Sequence, residues 1–230
     1  MKDILRQIKG TVVVSVQAMP SEPLYLEKCM VAMMKSVVNG GASALRVAGV
    51  RDVKNAKRLF ELPVIGLTKP NVIPKNWKEI VYITPTMNDV IDLIQAGADI
   101  IAFDGTQRKR PNNEKLEDLI RYIHVHKKLA MADISTLEEG IKAKEAGADI
   151  LSTTLAGYTL ESANSPSNEP DYELLKQLVA NTDLPVVLEG RIWEPEQVTK
   201  AFELGAHCVV IGSAITRPQL ITKRFVFRKG

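Results

Sequence analysis

A lysine stands where an apolar segment of the chain ends. In LPVIGLTKP, residues 62–70, the run from Val64 to Leu67 is followed closely by Lys69 and Pro70. A lysine amine is normally protonated at neutral pH and is then no base, but burial and a nearby cation such as Arg46 would lower its pKa. Lys69 is therefore a candidate for proton transfer.

Other apolar segments also end in polar residues or glycine. These ends are Gln17, Arg46, Asp104, Asp133, Thr153 with Thr154, Glu189, and Gly212 with Ser213. One polar residue at a strand end is ordinary, because strands finish at the surface, but several unpaired charges in a narrow funnel are costly without a partner or substrate. If the segments converge, Arg46, Lys69, Asp133 and Glu189 form one site.

The segments themselves are short and rich in β-formers. They cover residues 11–16, 44–47, 63–67, 81–84, 99–103, 129–133, 149–154, 185–189 and 208–212. Most are continuous apolar runs, which are typical of strands covered on both faces in a parallel sheet. Stretches with helical periodicity lie between them, so strands and helices alternate along the chain.

One of the nine segments, VYIT at residues 81–84, is surplus to a closed eight-stranded barrel. Between Leu67 and Val81 the chain carries Pro70 and Pro74 and no helical pattern, whereas a parallel crossover needs about a dozen residues or more, usually helical. We therefore interpret residues 81–84 as an extra strand or a rim segment in the loop after the third strand.

The remaining eight β/α units predict an α/β fold. Gly41, Gly97, Gly147 and Gly205 each close a predicted helix just before a strand and form a weak internal repeat. We expect one domain, residues 1–230, folded as a (β/α)8 TIM barrel. An open doubly wound sheet is the alternative, although the chain lacks the G-x-G-x-x-G turn of that fold.

The loops after the seventh and eighth strands are candidates for phosphate binding. They carry Gly190 in LEGRI, and Gly212, Ser213 and Arg217 in IGSAITRP. Barrels commonly bind phosphate there through backbone N–H groups, and an arginine could add charge-assisted hydrogen bonds. A plain helix cap remains the alternative interpretation of the Gly-Ser turn.

Composition excludes several classes of function. The net charge is +3, and the basic residues are scattered rather than clustered into a nucleic-acid-binding stripe. We recognise neither a secretory signal nor an apolar run long enough to span a membrane. Cys29 and Cys208 form no C-x-x-C pair, which suits a reducing compartment. We expect a soluble, cytoplasmic protein without nucleic-acid or membrane partners.

Several motifs occur in an order that is similar to a known family. They include VSVQAMPSEPL, ALRVAGV, PVIGLTKP, VYITPT, MADISTLEEGIKAKEAGAD, TTLAGYT, VVLEGRIWEPEQ and VVIGSAITRPQLITKRF. From about residue 12 to residue 226 the chain resembles N-acetylmannosamine-6-phosphate 2-epimerases. The resemblance implies interconversion of N-acetylmannosamine 6-phosphate and N-acetylglucosamine 6-phosphate in sialic acid and aminosugar catabolism, with no metal or other cofactor.

The resemblance also implies roles for particular residues. Lys69 would be the catalytic lysine and Glu189 its carboxylate partner in proton transfer. The sugar would be held by Gln17, Arg46 and Asp133, and the phosphate by Gly190, Gly212, Ser213 and Arg217. Thr153, at the end of the sixth strand, is a further candidate for substrate binding. A homodimer built partly from the C-terminal segment, residues 221–230, is implied as well.

Other readings of the same residues stay open at this point. Glu189 could donate the second proton or only position the sugar. Lys69 could form a Schiff base in an aldolase, or the chain could be a catalytically silent phosphosugar-binding protein. A metal-assisted epimerase is less compatible, because the histidines, His124, His126 and His207, fall outside the predicted strand ends, although Asp104, Asp133 and Glu189 could hold magnesium. The loop at residues 156–171 could be a lid or an insertion without a role.

Overall fold

A computed structural model describes residues 2–226 and contains a closed parallel barrel of eight strands. The strands are β1 (Val12–Val16), β2 (Ala44–Ala48), β3 (Val64–Leu67), β4 (Ile100–Asp104), β5 (Leu129–Asp133), β6 (Ile150–Ser152), β7 (Val186–Glu189) and β8 (Cys208–Ile211). Each strand pairs with the next in the chain, and β8 pairs with β1. The predicted (β/α)8 fold is confirmed, whereas a single domain spanning residues 1–230 stays a prediction.

Among the described residues, one α-helix lies between each pair of consecutive strands, one precedes β1, and two follow β8. They are α1 (Lys2–Ile8), α2 (Glu27–Asn39), α3 (Val50–Leu59), α4 (Met87–Gln95), α5 (Leu116–Val125), α6 (Leu137–Glu145), α7 (Tyr172–Asn181), α8 (Pro195–Glu203), α9 (Ser213–Thr216) and α10 (Pro218–Phe225). Local sequence sets several starts: Thr86 and Thr136 form capping boxes with Asp89 and Glu139, which satisfy N–H groups that the first helical turn leaves free. No helix within residues 2–226 is long and apolar enough to cross a membrane.

Alternation along each strand separates two apolar cores. One set of side chains fills the barrel interior, including Val13, Ile65, Leu129, Met131, Val187 and Val210. The other set packs between the strands and the surrounding helices, including Val14, Leu45, Phe103, Leu151 and Val209. Since successive side chains of a strand point to opposite faces, residues two positions apart share one face. This alternation continues to the carboxyl ends of the strands, so some of the last side chains of the strands also face the barrel interior.

Residues 81–84 form a rim segment and no strand. Thr84 has φ of +44°, which breaks an extended backbone, and its hydroxyl donates to the carbonyl of Ala102 at 2.6 Å. Asp104 donates its N–H to the carbonyl of Ile83, and the Ile83 side chain is buried in the interior core. Of the two interpretations of VYIT, the rim segment is correct, because isolated hydrogen bonds hold it where a ladder would be needed for a strand.

Gly66 of β3 lies where the strand packs closely against neighbouring side chains. A Cβ at this position would lie 2.9 Å from Ala98 Cβ, which cannot rotate away, and 3.1 Å from Val53 Cγ2. We expect Gly66→Ala to lower the free energy of unfolding by about 1–3 kcal/mol, the usual cost of overpacking. Guanidinium unfolding followed by circular dichroism measures it. Adding Ala98→Gly should recover part of the loss, and an unchanged midpoint in the single variant would contradict this account.

Candidate active site

A buried charge cluster lies at the carboxyl end of the barrel. Arg46 is the middle residue of β2 and not its last, as the sequence had suggested. It donates to Asp133 Oδ2 at 2.6 Å, and its Nε lies 3.3 Å from Glu189 Oε2. The side chains of Arg46 and Asp133 are 1% and 0% exposed. Burial lowers the pKa of Arg46, but the Asp133 and Glu189 carboxylates outweigh it and raise the pKa above its ordinary value. Arg46 therefore remains a cation.

Thr154 connects the two acidic members of the cluster. Its hydroxyl oxygen lies 3.0 Å from Asp133 Oδ1 and 2.8 Å from Glu189 Oε2. One hydroxyl has a single proton to donate, so it can serve only one of these oxygens. Both contacts are satisfied if the Glu189 carboxyl carries a proton and donates to Thr154. Burial raises the pKa of Glu189, although Arg46 opposes the shift, and so favours that protonated form.

Lys69 lies just beyond β3 and faces the same space. Its Nζ donates to Gln17 Oε1 at 2.9 Å, and Gln17 Nε2 donates in turn to Ser15 Oγ at 2.8 Å. Burial first, and then the charge of Arg46, lower the pKa of Lys69 to about 8, while Glu189 and Asp133 act in the opposite direction. A substantial fraction of the amine is therefore neutral near physiological pH and able to accept a proton.

A cavity of about 430 Å³ connects Lys69 and Glu189 with the loops after β7 and β8. At one edge, Gly190 has φ of +111°, a conformation that favours glycine. Gly212 lies against β1, where an added Cβ would be 3.3 Å from that of Ser15. Ser213 begins α9, and Arg217 pairs with Glu22 at 3.0 Å. These loops bring backbone N–H groups and the Arg217 guanidinium to the cavity, which suits a phosphate.

The structure brings together most of the residues proposed from the sequence. Those that line the cavity are Gln17, Lys69, Glu189, Gly190, Gly212, Ser213 and Arg217. Arg46 and Asp133 lie beneath it and act on it through their bonds to Glu189 and Thr154. Thr153 is placed elsewhere: its hydroxyl donates to the Glu189 carbonyl and accepts the Glu189 N–H. Its contact is thus with the β7 backbone rather than with the cavity.

The end of β6 explains which threonine faces the cavity. β6 stops at Ser152, and Thr153–Leu155 form a 3-10 turn, so the two-residue alternation of the strand does not continue to Thr154. Within β1 that alternation does hold, because Val13 and Ser15 share one face. Parity places Gln17 above Val13 and Ser15 in the same way. Thr154, and not Thr153, is therefore the cavity residue that follows β6.

Four further aromatic or cationic residues line the cavity, Tyr82, Tyr158, Arg191 and Trp193, and the sequence analysis assigned them no role. Tyr82 comes from the rim segment, Tyr158 from the loop at residues 156–171, and Arg191 from the LEGRI motif. Burial first, and then the charge of Asp104, raise the pKa of Tyr82 to about 12. Arg191 lies 4.9 Å above the Tyr158 ring, and Trp77 lies 6.0 Å from it. The loop that carries Tyr158 thus contributes directly to the cavity.

The histidines lie away from the cavity. His124 bonds Asp149 at 2.8 Å, in the loop that enters β6, and His207 bonds the carbonyl of Leu5. Asp104 is paired with Arg108 at 2.6 Å. In the part of the chain that the structure describes, no three His, Cys, Asp or Glu side chains are grouped so that they could hold a metal ion.

Comparison with known proteins decides the family. A model of the family described as "Putative N-acetylmannosamine-6-phosphate epimerase" matches residues 30–229. The chain belongs to this family. The resemblance carried by the motifs is confirmed, and the Lys69 and Glu189 motifs both fall inside the matched range.

Curated relatives extend the likeness over nearly the whole chain. A protein of Clostridium perfringens (strain 13 / Type A) with the name "Putative N-acetylmannosamine-6-phosphate 2-epimerase" is 48% identical over 222 residues, which cover 96% of this chain and 98% of that protein. A protein of the same name from Clostridioides difficile (strain 630) is 45% identical over 223 residues, which cover 97% of each.

Solved structures agree with the barrel. The N-acetylmannosamine-6-phosphate 2-epimerase from Clostridium perfringens has a TM-score of 0.90 at 48% identity, covering 96% of this chain and 94% of that one. Thiamine phosphate pyrophosphorylase from Pyrococcus furiosus has a TM-score of 0.60 at 16% identity and shares the fold alone.

The lowered pKa of Lys69 predicts a pH dependence for its reactivity. The protonated amine predominates below about pH 8 and does not react with acylating reagents, so labelling should rise through about pH 8 and level off above it. In the urea-unfolded chain the same lysine should follow the ordinary value of about 10.4. Mass spectrometry after brief acetic anhydride pulses measures both curves. Coincident curves for the folded and unfolded chain would show that the fold does not shift this pKa.

Proposed function

We propose that the protein interconverts N-acetylmannosamine 6-phosphate and N-acetylglucosamine 6-phosphate by removing and returning the proton at carbon 2. One observation carries the proposal: an amine with a lowered pKa, Lys69, and a carboxyl with a raised pKa, Glu189, line one cavity with loops that suit a phosphate. The family to which the chain belongs supports the same reaction.

Lys69 serves as the base. In the open-chain sugar, carbon 2 lies next to the aldehyde, and its hydrogen is acidic because the resulting charge spreads onto the aldehyde oxygen. The amine takes the proton, the C–H electrons form a double bond between carbons 1 and 2, and the oxygen becomes an enolate. Arg46 lies beneath the cavity as a fixed cation, so its field stabilises this negative charge.

Glu189 returns a proton to the opposite face of carbon 2. β3 and β7 lie on opposite sides of the eight-stranded ring, so the two groups approach the substrate from different directions. Burial raises the pKa of Glu189, although Arg46 opposes the shift, and this favours the protonated form that an acid needs. After one turnover Lys69 holds an extra proton and Glu189 lacks one, and this is the correct state for the reverse reaction. Exchange with water resets both groups.

The phosphate binds at the edge formed by the loops after β7 and β8. Gly190, Gly212 and Ser213 bring backbone N–H groups there, and Arg217 brings a guanidinium whose ion-pair partner is Glu22. A phosphate dianion carries more charge than a carboxylate and accepts bidentate bonds from arginine. Gln17, held between Lys69 and Ser15, is placed to bond a sugar hydroxyl.

Deuterium exchange tests the reaction and the base together. We expect the protein with N-acetylmannosamine 6-phosphate in deuterated water and a chelator to form N-acetylglucosamine 6-phosphate with deuterium at carbon 2. Lys69→Ala should slow both events by about 10²–10⁴-fold, the usual contribution of a general base. Proton NMR measures both. Binding without epimer or deuterium would favour a phosphosugar-binding protein, and borohydride trapping at Lys69 would favour a Schiff-base lyase.

Glu189→Gln separates the two roles of the carboxylate in the same experiment. If Glu189 donates the second proton, Lys69 still exchanges the proton on its own face, so deuterium enters carbon 2 without inversion. Equal loss of exchange and inversion would instead assign Glu189 to positioning the sugar.

We further propose a cytoplasmic homodimer that acts in sialic acid and aminosugar catabolism. Phe225 and Val226 are 76% and 61% exposed, and α10 buries none of its residues, all of which the structure describes. Adjacent exposed apolar side chains favour an interface. The rest of the proposed dimer segment, residues 227–230, lies outside the described residues. Sedimentation should give a dimer for the wild-type protein and a shift toward monomer for Phe225→Glu; a monomeric wild type would refute the dimer.

A further inference from the structure

The loop between β3 and α4, residues 68–86, forms one wall of the active-site cavity. It contributes Lys69 and Tyr82 to the lining. Trp77 of the same loop lies 6.0 Å from the ring of Tyr158, which lines the cavity from another loop. The structure describes every residue of this β3–α4 loop and shows no helix or strand in it. Contacts from neighbouring elements must therefore fix its position.

Arg108 binds the β3–α4 loop from the loop between β4 and α5, residues 105–115. Its Nη1 donates to the carbonyls of Trp77 and Lys78, both at 3.1 Å. Its Nε donates to Thr106 Oγ1 at 2.9 Å. A guanidinium has five N–H groups in a rigid plane, so one side chain can bond several fixed acceptors at once. Arg108 therefore joins two loops at a defined separation.

Asp104 fixes the Arg108 guanidinium from the end of β4. Its carboxylate accepts from Arg108 Nη2 at 2.6 Å, and the two side chains are 0% and 5% exposed. Asp104 Oδ1 also accepts the N–H and the hydroxyl of Thr106. A buried ion pair is often no more stabilising than apolar side chains of similar volume. Stability alone therefore does not explain this pair, whereas a need for fixed geometry does.

Arg110 makes a second connection to the same loop. Its Nη1 donates to the carbonyls of Thr84 and Pro85 at 3.3 and 3.2 Å. The residue is 6% exposed. Along the chain, Tyr82 lies between this point of attachment and the carbonyls that Arg108 binds. The two arginines thus hold the β3–α4 loop on both sides of a residue that lines the cavity.

We propose that Arg108 is a positioning residue of the active site: it keeps the β3–α4 loop against the cavity by binding Asp104 and the loop carbonyls together. The role rests on the proposed epimerase function. Of the described residues, those that line the cavity include Tyr82 and Tyr158 but not Arg108, so Arg108 acts on the substrate through this wall. A closed wall excludes water and keeps Lys69 at a fixed place relative to the substrate.

Arg108→Lys separates the charge of the side chain from its shape. Lysine keeps a cation beside Asp104, but one ammonium on a flexible stem cannot bond both carbonyls, Thr106 and the carboxylate at once. We expect a folded variant with a higher KM and a kcat/KM lower by about 10–100-fold, because a displacement of about 1 Å can cost up to ~10²-fold. kcat should change less than KM, because the wall binds substrate and transition state alike. Steady-state epimerisation kinetics measure both constants.

Hydrogen exchange distinguishes a displaced loop from a weakened protein. The N–H groups of Trp77, Glu79 and Thr84 donate to carbonyls within the β3–α4 loop. In Arg108→Lys, peptides that cover residues 74–85 should exchange faster, whereas peptides of β5 and α6 should keep the wild-type rate, as expected of local opening. Mass spectrometry measures both sets of peptides.

Arg121→Lys is the matched control, because it makes the same substitution at an arginine of α5 whose side chain is 69% exposed and pairs with Asp118. It should change neither KM nor the exchange of the loop. If Arg108→Lys does not fold, Asp104→Asn combined with Arg108→Met takes its place. This double variant leaves no unpaired buried charge and should show the same two changes.

The proposal requires both changes. An unchanged KM or unchanged loop exchange in the folded Arg108 variant would overturn it. Faster exchange spread evenly over the whole chain would also overturn it, because Arg108 would then be a general stabilising residue. In each of these cases epimerisation by the wild-type protein would remain.

Failure of the epimerase function gives a different pattern. If the wild-type protein exchanges no proton at carbon 2, that function fails, and calorimetry with N-acetylglucosamine 6-phosphate then judges the wall. An affinity weakened in Arg108→Lys, together with faster loop exchange, would support the positioning role. Equal affinities, or no measurable binding by either protein, would overturn it.

Discussion

The buried interaction of Arg46 with Asp133 and Glu189 determines the character of the whole site. A guanidinium that is 1% exposed would be very costly alone, and two carboxylates at hydrogen-bond and ion-pair distance make it tolerable. The cluster carries one cation and two acidic groups that share a single hydroxyl, that of Thr154. Burial raises the pKa of Glu189 against the opposing charge of Arg46, and burial together with the same Arg46 charge lowers the pKa of Lys69. The cluster thus shifts the pKa values of both residues toward neutrality.

The closed barrel brings the members of this cluster together. Arg46 comes from β2, Asp133 from β5 and Glu189 from β7, and only a closed ring brings these three strands to a common centre. Their ends rise from an apolar interior core, so the charges have little water around them and act strongly on one another. Different loops line different parts of the site. The loops after β7 and β8 suit the phosphate, and the loops after β1, β2 and β3 line a smaller cavity of about 90 Å³ beside Lys69.

The strand segments of the sequence predict much of the fold and the position of the site. Continuous apolar runs ending in charged residues predicted a parallel barrel and a site at its mouth, and the fold is confirmed. Local conformation sets the rest. VYIT has strand-like composition, yet the positive φ of Thr84 and its bonds to neighbouring strands make it a rim segment, one of the two interpretations that the sequence left open. Of Thr153 and Thr154, which both follow β6, the 3-10 turn at Thr153–Leu155 brings Thr154 to the cavity, and strand alternation cannot predict that.

The amino-acid sequence is enough to predict the elements, their order, the family and the types of group available for chemistry. It could do so because strand patterning, helix capping and short motifs depend on neighbours along the chain. Three-dimensional packing sets which threonine faces the cavity, the place of Arg46 beneath it, and the contribution of Tyr82, Tyr158 and Arg191 to its wall. These features arise from distances between residues far apart in the chain, which depend on how the ring closes and how its loops pack.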